Sequence, residues 1–327
     1  MLRKGKFIGN IARATGLAAL LAAGLASAEG KYPEKMVEVV VPWTAGQATD
    51  IAARTFAEEL TAKLGETFFI SNKAGAGGAV GSAYVARAKA DGYSLLAAST
   101  GSVIVSPLLN ETSYSASDFV PAAMIAKSPS ILITAADFPA KDINELIKLL
   151  KDNPGKYTFA SSGNGSATHL MAEAFNMGHG IEATHVPYKG SAAALTDVLA
   201  GRVTYMFDTV ASVSGQLKAG KVTAYAISSK DRSESVPDIP AIAEVTELKD
   251  FDIASWIGLM APKGTSPEKL SVLEEVAGAY LQTPEAKAKY QGMGLGINPM
   301  SNQEFQKVVD REVELYSGLL EQLGLKK

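Results

Sequence analysis

The feature that most constrains this chain is its alternation of short β-rich runs with helical stretches. That order points to an α/β fold with a largely parallel sheet. Residues 36–41 read as a strand closed by Pro42. A helix follows, with Ala52, Phe56, Leu60 and Leu64 at four-residue spacing and Gly65 as its stop. Residues 67–71 and 93–98 read as strands, with a helix at 79–89 between them. A middle section repeats the pattern, with strands expected at 131–134, 157–160, 185–188, 203–207 and 224–228 and helices at 142–151, about 191–200 and 211–218. After residue 230 come a Pro-bearing connection, a strand at 256–261 and a helix start at Ser266-Pro267-Glu268. Ser301 and Glu304 form a capping box for a last helix carrying Phe305, Val308, Val309, Tyr316, Leu319, Leu320 and Leu323. No repeat period and no low-complexity linker interrupts this grammar, so two α/β lobes joined by crossing strands are expected.

Charge separates the N-terminus from the rest. Arg3, Lys4, Lys6 and Arg13 precede the apolar run LAALLAAGLA at 17–26, and Ala26-Ser27-Ala28 follows as a small-x-small cleavage site. This is the pattern of a secretory signal, too short to span a bilayer, and it predicts a mature chain starting at Glu29. Beyond residue 28 there are 27 basic and 34 acidic residues, a net charge of −7 that argues against nucleic acid or an anionic membrane as partner. Cysteine is absent, which excludes disulfides, thiolate metal sites and thiol nucleophiles.

Ligands of open α/β sheets sit beyond the carboxyl ends of strands, where helix N-termini converge. Three loops have that position: PWTAGQATD (42–50), STGS (99–102) and SSGNGSATH (161–169). None contains Lys or Arg. Exposed N–H groups and hydroxyls at helix starts suit a carboxylate without a counter-charge, although the same residue types also make ordinary βα turns. Asp50 falls in a first helical turn, where it either supports the helix dipole or meets the ligand. Asp208, after a strand, either faces the cleft or caps a helix. Trp43 lies inside the first loop, and Trp256 reads as core.

Catalytic patterns are weak. The three histidines, His169, His179 and His185, match no zinc spacing, so neither metal nor cofactor is expected. Ser166 and His169 stand three apart at a helix start, a placement that fits a cap as well as a nucleophile and base, and the surrounding glycines do not form a nucleophile elbow. GAGGAVG (75–81) has the wrong spacing for a dinucleotide loop.

From about Tyr32 to the C-terminus the chain resembles the Bug-type periplasmic solute-binding receptors of tripartite tricarboxylate transporters. The resemblance rests on VVVPWTAGQATDIAAR (39–54), NKAGAGGAVGSAYVARAKADGYSLL (72–96), SSGNGSATHLMAE (161–173), HVPYKGSAAALTDVLAGRV (185–203) and SWIGLMAPKGTS (255–266), in that order. It implies a two-lobed periplasmic binding protein fold, with two α/β domains joined by two crossing strands and the ligand in the cleft. One domain is expected to be discontinuous, from 29–128 and 230–327, and the other to span 129–229. The resemblance implies no enzyme. It implies a monomeric receptor that captures a small carboxylate by hinge closure and delivers it to membrane transporter subunits. Competing readings are a secreted hydrolase, a regulator's effector domain and a ligand-sensing subunit.

Matched by motif, the first loop supplies Ala45, Gly46, Ala48, Thr49 and Asp50 to the site, with Trp43 and Gln47 of the same loop added as candidates on their own chemistry, and the second supplies Thr100, Gly101 and Ser102. The other lobe supplies Ser161, Ser162, Gly163, Gly165, Ser166 and His169, with Tyr188, Lys189 and Asp208 beside them. The chain departs from the family where a Gly-Gly pair is usual: it has Gly46-Gln47. With Trp43, this favours a ligand with an apolar or aromatic body over compact citrate.

Overall fold

Residues 32–164, 166–188, 190–322 and 324 are described by a computed structural model. The export signal expected at 1–28, the candidate binding residues Gly165 and Lys189, and Leu323 lie outside the described residues.

Two five-stranded sheets carry the fold. The first takes β1 (Val37–Val41), β2 (Phe68–Asn72), β3 (Ser94–Ser99), β4 (Phe119–Ser128) and the late strand β10 (Ser255–Pro262), in the order β2-β1-β3-β10-β4. The second takes β5 (Ser130–Ala135), β6 (Thr158–Ser161), β7 (Thr184–Pro187), β8 (Tyr205–Thr209) and β9 (Val222–Ile227), in the order β7-β6-β8-β5-β9. The helices, in chain order, are α1 (Ala48–Leu64), α2 (Ala79–Ala86), α3 (Ser106–Leu109), α4 (Ile143–Lys151), α5 (Ala167–His179), α6 (Ser191–Leu199), α7 (Val210–Lys218), α8 (Ile242–Val245), α9 (Pro267–Leu281), α10 (Pro284–Gly292) and α11 (Asn302–Gln322). Central strands are buried on both faces, which is why β1 reads Val-Glu-Val-Val-Val and β3 reads Leu-Leu-Ala-Ala rather than alternating.

The sheets are mixed rather than largely parallel. β1 pairs in parallel with β2 and β3, and β6 with β7 and β8, as the βα grammar requires. β10 runs antiparallel to β3 and β4, and β5 antiparallel to β8 and β9. The reversal comes from the crossing itself. Only Pro129 separates β4 from β5, so the chain leaves one sheet and enters the other without a helix. The return segment crosses beside it: Ser130 N–H donates to Ser228 Oγ at 3.1 Å, Ser228 N–H to Ser130 O at 2.9 Å, and Ile253 N–H to Ser228 O at 2.9 Å. Strand β4, absent from the sequence expectation, contains Pro121, which normally argues against an interior strand. The sheet admits it because β4 is the edge strand, and Pro121 sits at an irregularity where the β10 register shifts between Leu259 and Met260.

Register then fixes where the loops meet. Ser99 pairs with Ile257 and Ser255 with Ser128, while Thr209 pairs with Ser130. The carboxyl ends of β3 and β8 therefore both lie at the crossing, and their parallel neighbours β1 and β6 end on the same sides. Helix α11 packs on β4 of the first sheet and also on α5 of the second. Its buried Phe305 meets Trp256 edge-on, with ring centroids 4.9 Å apart. Among the described residues, no helix is long and apolar enough to cross a membrane.

Candidate functional site

The first loop is a short bridge from β1 to α1, and Asp50 holds it. Asp50 is buried, and its Oδ2 accepts from Gly46 N–H at 2.9 Å and Arg54 Nε at 3.0 Å, while Oδ1 accepts from Asn72 Nδ2 at 2.8 Å. Asn72 Nδ2 also donates to Trp43 O at 3.1 Å. Burial alone would raise the carboxyl, but the Arg54, Gly46 and Asn72 donors outweigh it and hold it below its ordinary value. Both Asp50 oxygens are thus committed within the lobe. The loop bends at Gly46, whose φ of 85° is left-handed, and a Cβ there would meet no atom within 4 Å. Gln47 occupies the N-cap position of α1 but makes no side-chain cap, and residues 44–47 are exposed. The first N–H groups of α1, from Ala48, Thr49 and Asp50, have no carbonyl one turn earlier.

Trp43 ties this loop to the next. Its Nε1 donates to Ser99 Oγ at 3.2 Å, and the half-buried ring lies over the backbone of two glycines. A Cβ on Gly101 or Gly78 would come 3.4 Å from its Cζ2, and on Gly78 also 2.7 Å from Ser102 Cβ. This explains GAGGAVG: its glycines let the start of α2 pack against both candidate loops. No phosphate chemistry is needed to account for them.

After β3 the chain turns helically through Gly101–Val105. Thr100 and Ser102, expected to offer hydroxyls, are fully buried and turned inward. Ser102 Oγ accepts from Ser99 N–H at 3.1 Å and donates to Ser99 O at 3.2 Å. Thr100 Oγ1 donates to Glu312 Oε2 at 3.2 Å and accepts from Trp256 N–H at 3.3 Å. What this loop can present outward is its backbone.

In the second lobe Ser166 caps α5, accepting from His169 N–H at 3.2 Å, so the capping reading of the Ser166–His169 pair holds. Ser162 N–H donates to Thr168 Oγ1 at 3.0 Å, and Ser161 Oγ donates to Gly163 O at 3.0 Å. A pairing across strands, not read from the sequence, joins Ser161 Oγ to His185 Nε2 at 2.7 Å. His185 stacks on His169 at 3.8 Å between ring centroids, and Phe159 stacks on both. Burial and the neighbouring His169 lower His185 to about 4, so it is neutral near pH 7. With the Ser161 proton on the Gly163 carbonyl, His185 Nε2 is the donor, and Ser161 is a loop fastener rather than an activated nucleophile.

Tyr188 directs its hydroxyl to Asp197 at 2.6 Å, while its N–H donates to Ser161 O at 3.1 Å. Asp208 is buried at the end of β8, where Oδ1 accepts from Ser191 Oγ at 3.0 Å and Thr209 N–H at 2.8 Å. Its Oδ2 has no hydrogen-bond partner, and burial raises the carboxyl to about 6. Here α6 and α7 both begin, the latter capped by Thr209 through Ser212 N–H. Among the described residues, no group of three or more His, Asp or Glu side chains could hold a metal ion.

The edges at the crossing therefore combine four helix starts with three loops, 42–50, 99–102 and 161–169, whose sequences hold no Lys or Arg, while Lys189 precedes the start of α6. Such an edge suits an anion held by N–H groups and helix dipoles.

Comparison with known proteins agrees with this geometry. Residues 52–325 match the family model described as "Tripartite tricarboxylate transporter family receptor". The chain is 30% identical to Protein BugT of Bordetella pertussis over 298 residues, covering 90% of this chain and 91% of BugT. Among solved structures it is similar to Rpa4515 of R. palustris with adipate, at 31% identity and a TM-score of 0.79, covering 90% of this chain and 98% of that one. It is also similar to MatC of Rhodopseudomonas palustris with bound malate, at 28% identity and a TM-score of 0.74, covering 88% and 100%.

Proposed function

The chain belongs to the tripartite tricarboxylate transporter receptor family, and from that premise we propose that it is a periplasmic receptor for a small dicarboxylate. The observation that carries the reading is the meeting of four helix starts at the edge between two sheets, with three loops, 42–50, 99–102 and 161–169, that hold no Lys or Arg. One ligand carboxylate is held by backbone N–H groups at the α1 start, residues 48–50, and at 100–102, and the second lobe closes on it with residues 161–169, Tyr188, Lys189 and the α7 start. The lobes correspond to residues 29–128 with 230–327, and to 129–229. They rotate about the paired crossings at Ser128–Ser130 and Ser228, and the ligand stabilises the closed state by touching both. The mature protein, starting at Glu29, acts as a monomer and passes its ligand to membrane transporter subunits.

The ligand has an apolar body. Trp43 offers a flat ring beside the loop, and Gln47 offers an exposed amide for a second polar end. Adipate in Rpa4515 is a diacid of that kind. A thermal-shift series with adipate, malate, citrate and benzoate tests the reading. Adipate-like diacids are expected to raise the melting temperature most, by mass action, and to be recovered chemically unchanged. Conversion of any ligand would move the protein to the hydrolases, and a preference for citrate would remove the specificity argument.

A further inference from the structure

Helix α11 sends one acidic side chain into the core behind the site. Glu312 is 6% exposed and lies 212 residues from Thr100 in the chain. Its Oε2 accepts from Trp256 Nε1 at 2.7 Å and from Thr100 Oγ1 at 3.2 Å, while Thr100 Oγ1 accepts from Trp256 N–H at 3.3 Å. Three segments thus share one closed set of bonds: the second ligand loop, the start of β10 where the chain returns across the crossing, and the C-terminal helix. The set is fully directed. Thr100 has one hydroxyl proton and spends it on Glu312, so it cannot donate that proton to a ligand.

We propose that Glu312 is a positioning residue for ligand binding: through Thr100 and Trp256 it holds the 99–102 backbone in register with the crossing strand. This rests on the reading that the 99–102 backbone faces the carboxylate. The burial of a carboxyl here is otherwise a pure cost, since an apolar residue would fill the same space more cheaply. What the carboxyl adds is an acceptor for two donors at once. It ties the position of a ligand loop to that of the hinge strand.

The surroundings supply a spectroscopic readout. Burial raises Glu312 to about 7 against the donors Trp256 and Thr100; Arg311 on the same helix lowers it, and Asp252, from the connection before β10, raises it further. Tyr316 is fully buried one turn on and is itself pushed up by burial, so it stays neutral. Only two tryptophans occur in the chain. In a Trp43→Phe background the emission of Trp256, bonded to Glu312, is expected to titrate with a midpoint near 7. Adding Glu312→Gln, which keeps an acceptor oxygen but cannot ionise, should abolish that titration.

Affinity is the main test, using adipate by calorimetry at pH 7.5 with melting curves alongside. Wild type comes first: if no carboxylate binds it, the functional reading fails before this one is reached. Given wild-type binding, Glu312→Leu and Thr100→Val should each weaken it about tenfold or more, as expected for loss of a charge-assisted anchor. The double variant should be no more than about twofold weaker than the worse single one, because both remove the same link. Glu312→Gln should stay within about threefold of wild type. A folded Thr100→Val with wild-type affinity would overturn the proposal even if Glu312→Leu fails to fold. So would additive losses in the double variant, or a Glu312→Gln as weak as Glu312→Leu.

Discussion

Replacing Asp50 with Ala removes the acceptor that closes the first loop, and the cost can be worked out from its three donors. Gly46 N–H at 2.9 Å, Arg54 Nε at 3.0 Å and Asn72 Nδ2 at 2.8 Å all lose their partner. Charge-assisted bonds contribute about 1.5–3 kcal/mol each when both groups are buried. Here the donors re-solvate readily: the Arg54 side chain is 47% exposed, and residues 46 and 72 are exposed as well. The pair with Arg54 is therefore discounted to below about 1 kcal/mol, and the total loss to about 2–3 kcal/mol. A domain of this size loses about 2 °C per kcal/mol, so the melting temperature should fall by about 4–6 °C. Because the donors hold the carboxyl below its ordinary 3.8, its contribution is complete above about pH 4 and disappears as pH drops through the lower folded value. The gap between wild type and variant should be flat from about pH 5 to 8 and narrow below about pH 4. Adipate affinity at pH 7.5 should fall at least about tenfold, since the loop N–H groups are no longer aimed. Differential scanning calorimetry and titration calorimetry read both numbers. A melting temperature within about 1 °C of wild type would refute the anchoring argument. The expected melting loss with unchanged affinity would refute the link from anchor to site.

Gly46→Val places a β-branched residue at a φ of 85° with no atom within 4 Å of its Cβ, so it should lose about 1–2 kcal/mol of stability to backbone strain, with adipate affinity falling more steeply than stability in paired melting and titration experiments. Asp208, raised from 3.8 to about 6 by burial, binds its proton more readily folded than unfolded, so its contribution to stability should decline by about 2 kcal/mol as pH rises from about 4 to 6. Asp208→Asn should lack that share and keep the one from Glu312, which is also raised, so the two proteins' urea-melt stabilities should converge across this range; parallel curves would show that the Asp208 carboxyl is not desolvated as described. Export predicts that N-terminal sequencing of periplasmic protein begins at Glu29, whereas an intact Met1 on cytoplasmic material would remove the localisation and the receptor reading together.

The sequence was most informative where local chemistry decides structure. Pro42 ends β1, Gly65 closes α1 in a left-handed conformation, and Ser166 caps α5, each within a few residues of its effect. Position at a strand's carboxyl end singled out three loops as candidates, and the structure places each of them after a strand of one of the two sheets. What could not be read depends on partners far apart in the chain. Pro121 hides β4 because only the assembled sheet shows that β4 is its edge and that β10 shifts register opposite the Pro. Asn72 completes the Asp50 anchor from 22 residues away, and His185 reaches Ser161 from the neighbouring strand. The inward turn of Thr100 and Ser102 had no local signal either: a Ser/Thr-rich turn looks the same whether its hydroxyls face a ligand or fasten the loop. Thr283 and Pro284 mark the start of α10 as an N-cap and first helical residue, a signal fully local to the sequence.

In the proposed binding mode a carboxylate is held at the edge between the sheets by backbone N–H groups, with no cationic side chain from loops 42–50, 99–102 and 161–169. Titration calorimetry of the purified exported protein with adipate, malate and the uncharged diamide of adipate tests it most directly. The account predicts saturable one-to-one binding of at least one diacid and none of the diamide, which keeps the apolar body and loses both negative charges. Absence of saturable binding by any carboxylate, or diamide binding as tight as the diacid's, would contradict it.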